Sequence, residues 1–151
     1  MNVVISEATV VDDDLVAAFA RLIPQLSSSN PAPDRNALAA IVDNPDVFLF
    51  LARDADDAKD DERGRIIGSL TLVTFRIPTG LRAWIEDVVV DDAIRRSGAA
   101  TKLTTTALAK AKELGVATVD LTSRPSREAA NALYQKLGFE LRNSNLYRYA
   151  L

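Results

Sequence analysis

The chain has 151 residues, a formal net charge of −3, 48% hydrophobic and 26% charged residues. That balance suits one globular domain with a substantial core, and it argues against a disordered chain or a general nucleic-acid surface. Cysteine and histidine are both absent, which excludes disulfides, Cys–His zinc sites and any triad with a histidine base.

Acid–base chemistry therefore falls to carboxylates, Tyr, Lys or water. No run approaches the roughly 18 apolar residues of a membrane span. The opening MNVVISEATVVDDD lacks the basic start and small-residue cleavage site of a signal peptide. A cytoplasmic location without membrane contact is expected.

Val3–Ala8 alternates as a first strand. Asp12–Asp14 offer an N-cap, and Leu15, Phe19, Leu22, Ile23 and Leu26 follow at helical spacing, predicting an amphipathic helix from Asp14 to Leu26. The run SSSNPAP breaks it. Asp34 caps a short second helix with Leu38, Ile41 and Val42 on one face. VFLFLAR, Val47–Arg53, is a buried strand by its continuous apolar run. The acidic segment Asp54–Arg63 reads as a hairpin loop on water. Strands are expected over Arg65–Phe75 and Ala83–Val90, with IPTGLR as the turn between them.

A helix follows over Gly98–Leu114, with Leu103, Ala107, Ala111 and Leu114 as its stripe and Gly115 at C′. Ala117–Ser123 alternates as a strand. Ser126 is placed to cap a helix through Leu137 that carries Ala130, Leu133, Tyr134 and Leu137 on its apolar side, and Gly138 ends it. Phe139–Arg142 and Leu146–Leu151 read as a closing hairpin around NSN. The order β-α-α-β-β-β-α-β-α-β-β predicts an α+β fold with a central mixed, mostly antiparallel sheet, in a single domain over 1–151.

The segment IRRSGAATKL, Ile94–Leu103, joins a strand to a helix N-terminus. A first helical turn has unpaired N–H groups and a partial positive charge, so it attracts phosphate. Small residues at Ser97–Ala100 let a ligand approach the backbone. Arg95 and Arg96 bring forked donors suited to phosphate oxygens. An ordinary strand-to-helix turn with surface arginines carries the same composition. The spacing is neither a Walker loop nor a dinucleotide fingerprint, because Gly98 stands alone.

A second segment narrows the choice. Arg95-x-x-Gly98-x-Ala100 after DVVV resembles the R/Q-x-x-G-x-G/A pyrophosphate loop of the GNAT superfamily of N-acetyltransferases. LYQKLGFE, Leu133–Glu140, is similar to that superfamily's second signature, with Tyr134 and Gly138-Phe139. The resemblance is strongest over Trp84–Glu140. It departs from the pattern at Arg96, Ser97 and Ala100, often glycine or another small residue, and at Arg127, where an Asn often stands seven residues before the Tyr.

The resemblance implies a GNAT-like three-layer α/β/α fold and an acetyltransferase that uses acetyl-CoA without a metal. By it, the backbone of Val88, Val89 and Val90 holds the pantetheine arm, and Arg95, Arg96, Ser97, Gly98, Ala99, Ala100 and Thr101 hold the pyrophosphate. Asn131 is a substitute for the displaced Asn, or faces water. Tyr134 is the partner of the departing thiolate, because a phenol near pKa 10 can donate to a sulfur whose thiol lies near 8.5; its bland alternative is core packing.

Glu86 is the candidate base. It sits in WIEDVVV, whose IED is similar to the strand of glucosamine-6-phosphate N-acetyltransferases. Alternation puts Trp84, Glu86, Val88 and Val90 on one face and Asp87 on the other. Glu86 alternatively binds the amine without catalysis, or is only a sheet-face carboxylate. Asp87 is the second choice as base and reads as structural.

The acceptor pocket would draw on Ser27–Arg35 and Asn143–Tyr147. The leading reading is acetyl transfer to a primary amine of a small metabolite or peptide, by direct attack in a ternary complex. Alternatives are another acyl donor, a non-catalytic acyl-CoA-binding or interaction module, and a nucleotide-dependent switch. A homodimer through the apolar, aromatic segment LYRYAL is a further expectation.

Overall fold

Four strands of the computed structural model pair antiparallel in chain order, and a fifth joins in parallel. The structure describes residues 1–58 and 63–151. The strands are β1 (Val3–Glu7), β2 (Val47–Asp54), β3 (Arg65–Ile77), β4 (Gly80–Val90) and β5 (Thr118–Asp120). The sheet is therefore mixed and mostly antiparallel, as expected. The chain divides into two units, residues 1–121 and 122–151.

In the first unit, helix α1 (Asp13–Leu26) starts where Asp12 Oδ1 accepts the N–H of Leu15 at 2.9 Å. Helix α2 (Arg35–Val42) starts where Asp34 Oδ1 accepts the N–H of Ala37 at 2.8 Å. Each cap satisfies a donor that the first helical turn leaves unpaired. Leu15, Ala18, Phe19, Leu22 and Ile23 of α1 and Leu38 of α2 pack with Leu49, Leu51, Ile66 and Val89 in one core cluster. Burying each large aliphatic side chain of this kind contributes about 1.5–3 kcal/mol.

Phe48 has the opposite parity on β2 and faces Lys110 of helix α3 (Ala99–Glu113), whose Nζ lies 4.9 Å from the ring centroid. The sheet of this unit is thus covered by α1 and α2 on one face and by α3 on the other. Helix α3 buries Ala99, Leu103, Thr104, Ala107 and Ala111. The expected stripe also held Leu114, but that residue is exposed, because the helix has already reached its C-cap there. Gly115 follows with φ +79°, the left-handed turn that ends such helices.

The β3–β4 hairpin is longer than expected. Pairing continues to Ile77 and Gly80, so only Pro78 and Thr79 remain of the anticipated turn. The acidic segment opens with a 3₁₀ turn at Ala55–Asp57, and residues 59–62 of the anticipated loop lie outside the described residues. β5 has three residues rather than seven.

The second unit contains helix α4 (Glu128–Lys136) and the C-terminal segment. The helix begins one residue later than expected. Its N-cap is Arg127, with no side-chain cap bond, so Ser126 is not the cap. Gly138, at φ +96°, ends it, and the N–H of Phe139 bonds the carbonyl of Tyr134 at 3.0 Å. The expected closing hairpin is not formed. Residues 139–151 contain no strand, and Leu141, Leu146, Tyr147, Tyr149 and Leu151 are all exposed. A two-stranded hairpin that buries none of its apolar side chains is marginal in water.

Candidate active site

β4 carries a bulge. Thr71 of β3 pairs with Glu86 and Ser69 pairs with Val89, so Leu70 alone stands opposite Asp87 and Val88. Asp87 takes the left-handed conformation, φ +51°, which short polar side chains tolerate better than others. The extra residue reverses the alternation beyond it. Directly opposed residues share a face. Trp84 and Glu86 therefore share theirs with Val89, whereas Val90, opposite Gly68, lies on the face of Ile85, which is opposite Leu72. The anticipated face of Trp84, Glu86, Val88 and Val90 is corrected accordingly.

Glu86 is open to solvent on the α1–α2 face. Partial loss of hydration, and then the neighbouring charge of Asp87, push its carboxyl above the usual carboxylate range.

The outer edge of β4 is only partly covered. β5 pairs with Arg82, Ala83 and Trp84. Among the described residues no strand lies on this outer side of β4 from Ile85 to Val90, so the stretch has no ladder partner there. On the inner side Gly68 meets the bulged segment closely. A Cβ there would lie 2.8 Å from the carbonyl oxygen of Val89.

Beyond Val90 the chain makes a 3₁₀ turn at Asp92–Ile94 and enters α3. Arg96 is left-handed at φ +65°, and the N-cap Gly98 at φ +80°, ψ 2°. No side chain caps α3 at Gly98, and a Cβ on that residue would meet nothing within 4 Å. The Ser97 hydroxyl accepts the N–H of Ala99 at 3.3 Å, and the Ala99 side chain is buried. The amides of Ala100 and Thr101 therefore head an uncapped helix beside open space, a suitable seat for phosphate. Arg95 is exposed, and its Nε donates to Asp92 Oδ1 at 3.0 Å.

Sequence reasoning missed the root of this loop. Asp91 is 4% exposed and accepts from Arg21 Nε at 3.1 Å, Arg65 Nη2 at 3.0 Å and the Ala93 N–H at 3.1 Å. Burial alone would raise its pKa. The bond from Ala93, then the bond and charge of Arg21 and the charge of Arg65, overcome that and hold it below the usual range. An aspartate directly after a strand was the available signal, but its partners lie 70 and 26 residues away in sequence.

In the second unit Tyr134 is buried, and its ring meets Phe139 edge-on at 5.7 Å between centroids. Burial pushes its phenol pKa up, with the Arg127 charge opposing in part. Asn131 Nδ2 donates to the Arg124 carbonyl at 3.0 Å, which ties this amide to the turn before α4.

A bulged strand with a half-open edge thus leads into a helix that begins at a left-handed glycine. The acetyltransferase (GNAT) family profile matches residues 12–139. The chain belongs to that family. It is 38% identical over 105 residues to N-alpha-acetyltransferase 30 of Schizosaccharomyces pombe, a match that spans 69% of this chain and 64% of that protein.

Solved structures share the fold. An aminoglycoside acetyltransferase from an uncultured soil metagenomic sample superposes with TM-score 0.80 at 19% identity, covering 99% of this chain and 95% of the other. Glucosamine-6-phosphate N-acetyltransferase from Arabidopsis thaliana superposes with TM-score 0.78 at 18% identity, covering 99% of each chain.

Proposed function

We propose that the protein is an N-acetyltransferase that moves the acetyl group of acetyl-CoA to a primary amine, by direct attack in a ternary complex. The observation that carries this reading is the uncapped α3 N-terminus, set directly behind the bulged, half-open β4.

In this reading the backbone of Val88–Val90 lies along the pantetheine arm. The amides of Gly98, Ala100 and Thr101 and the guanidinium groups of Arg95 and Arg96 hold the pyrophosphate, with Ser97 and Ala99 shaping the loop between them. Acetyl-CoA supplies an activated thioester. Glu86 takes the proton of the attacking amine, directly or through one water, and its raised pKa brings it closer to neutral pH as a base. Tyr134 gives a proton to the departing sulfur. Its raised pKa keeps it protonated at neutral pH, as a donor must be. Tyr134 enters by its place in the second signature.

The acceptor is a small-metabolite or peptide amine. The similarity to a protein named N-alpha-acetyltransferase 30 puts a peptide α-amine first for testing. Self-association through Leu146–Leu151 belongs to the same proposal, supported by the exposure of its aromatic side chains; a monomeric mass by light scattering would remove that part.

Calorimetric titration with acetyl-CoA, with ATP as control, tests the cofactor. Saturable binding of acetyl-CoA alone supports the reading, followed by thiol release with a panel of peptides and small amines. Binding without release of thiol for any acceptor would favour an acyl-CoA-binding module instead. Folded protein that does not bind acetyl-CoA would end the proposal.

A further inference from the structure

We propose that Arg21 of α1 is a positioning residue for the coenzyme A loop, acting through Asp91 and assisted by Gln25. The inference rests on the cofactor reading above. One guanidinium spans two elements: Arg21 Nε donates to Asp91 Oδ2 at 3.1 Å, and its Nη2 donates to the Ile66 carbonyl on β3. The end of β4 is thereby tied to the neighbouring strand by a helix from a distant part of the chain.

Asp91 passes the constraint onward. Its second oxygen takes the Ala93 N–H at 3.1 Å, and the Ile94 N–H bonds its carbonyl at 2.9 Å, so the 3₁₀ turn closes on this residue. Gln25 stands four residues after Arg21, on the same face of α1. Its Oε1 accepts the Asp92 N–H at 2.7 Å while its Nε2 donates to the Arg21 carbonyl at 3.2 Å, which sets the amide orientation. Asp92 then holds Arg95.

Two adjacent residues at the root of the loop are thus gripped by one helix face, and the second of them orients the loop's arginine. A ligand gripped by backbone amides and a fork of donors responds steeply to small displacements of that frame. Arg21 commits its Nε and Nη2 to Asp91 and Ile66, so its effect falls on cofactor affinity rather than on the chemical step.

The test compares Arg21→Met, Arg21→Lys and Gln25→Leu with the wild type by acetyl-CoA titration and initial-rate kinetics. Arg53→Met is the control. It breaks another α1 pair, Arg53 Nη1 to Asp14 Oδ2 at 2.9 Å, and the bond of the same nitrogen to the Gly64 carbonyl at 2.7 Å, on the neighbouring part of the sheet but with neither acceptor in the loop. Arg21→Met is expected to raise the Kd and KM for acetyl-CoA about tenfold with kcat within about twofold. Arg21→Lys restores most of the affinity by keeping the charge at Asp91. Gln25→Leu, the milder change, moves KM the same way and keeps the test open should Arg21→Met fail to fold.

Unchanged affinity in folded Arg21 and Gln25 variants of a wild type that binds acetyl-CoA would overturn this inference alone. An equal rise in KM for Arg53→Met would overturn it too, by showing general loosening. A wild type that does not bind acetyl-CoA would overturn the cofactor reading, and this inference with it.

Discussion

Glu86 and Val89 share one face of β4, because the bulge at Asp87 absorbs one residue between them: their partners on β3, Thr71 and Ser69, are two apart. Val89 belongs to the core under α1 and α2. The same short segment thus anchors the strand in the apolar cluster and presents a carboxylate on that face, with Asp87 taking up the strain.

A base at Glu86 gives a definite pH dependence. A base works when deprotonated, so activity falls as pH drops through the Glu86 pKa, and a raised pKa moves that limb above the ordinary carboxylate range. Glu86→Gln is expected to lower kcat about 10²-fold or more and to remove this limb, with acetyl-CoA affinity unchanged. Initial rates across pH with a confirmed acceptor check both; a preserved limb in the variant would assign it elsewhere.

Tyr134 and Arg95 are expected to separate chemistry from binding. Tyr134→Phe keeps the ring contact with Phe139 but loses the hydroxyl, lowering kcat about 10–10²-fold at nearly constant Kd for acetyl-CoA. Arg95→Ala removes a forked donor and raises that Kd about tenfold, with a smaller change in kcat. Single-turnover kinetics beside titration would show the split. Unchanged turnover in Tyr134→Phe would remove it as the acid.

Gly68→Ala tests the close approach of β3 to the bulged segment. The added Cβ would stand 2.8 Å from the Val89 carbonyl oxygen, against backbone that must move. A loss of about 1–3 kcal/mol in stability is expected, with weaker acetyl-CoA binding because Val88–Val90 shift. Denaturant unfolding and titration measure the two effects; a neutral variant would show that β4 yields freely.

Asp91 links the loop to acid stability. Its folded pKa lies below the ordinary 3.8 of an aspartate. Its contribution is therefore fully present above that unfolded value and is lost as pH falls through the folded one. Asp91→Asn should cost about 2 kcal/mol at neutral pH, between the values for an exposed and a fully buried pair, because both arginines stay partly open to water. The gap between wild type and variant, from denaturant unfolding, should hold down to about pH 5 and narrow below the unfolded pKa. A gap independent of pH would mean that packing, not charge, dominates.

Sequence by itself determined the element order as far as α4, the helix caps at Asp12 and Asp34 and the left-handed ends at Gly115 and Gly138. These follow from neighbours a few residues apart, where side-chain chemistry and periodicity act directly. The loop Arg95–Thr101 was legible for the same reason: small residues and arginines ahead of a helix are a local signal.

Tertiary structure decided the rest. The bulge at Asp87 arises only when β4 is matched against β3, so no strand pattern announced that Val89, not Val90, would join the face of Glu86. The clamp of Arg21, Arg65 and Gln25 on Asp91 and Asp92 joins residues tens of positions apart. The closing hairpin failed for the complementary reason. Alternation in Leu146–Leu151 marks a segment able to form a strand, but a strand exists only where a ladder partner and a covered face are supplied.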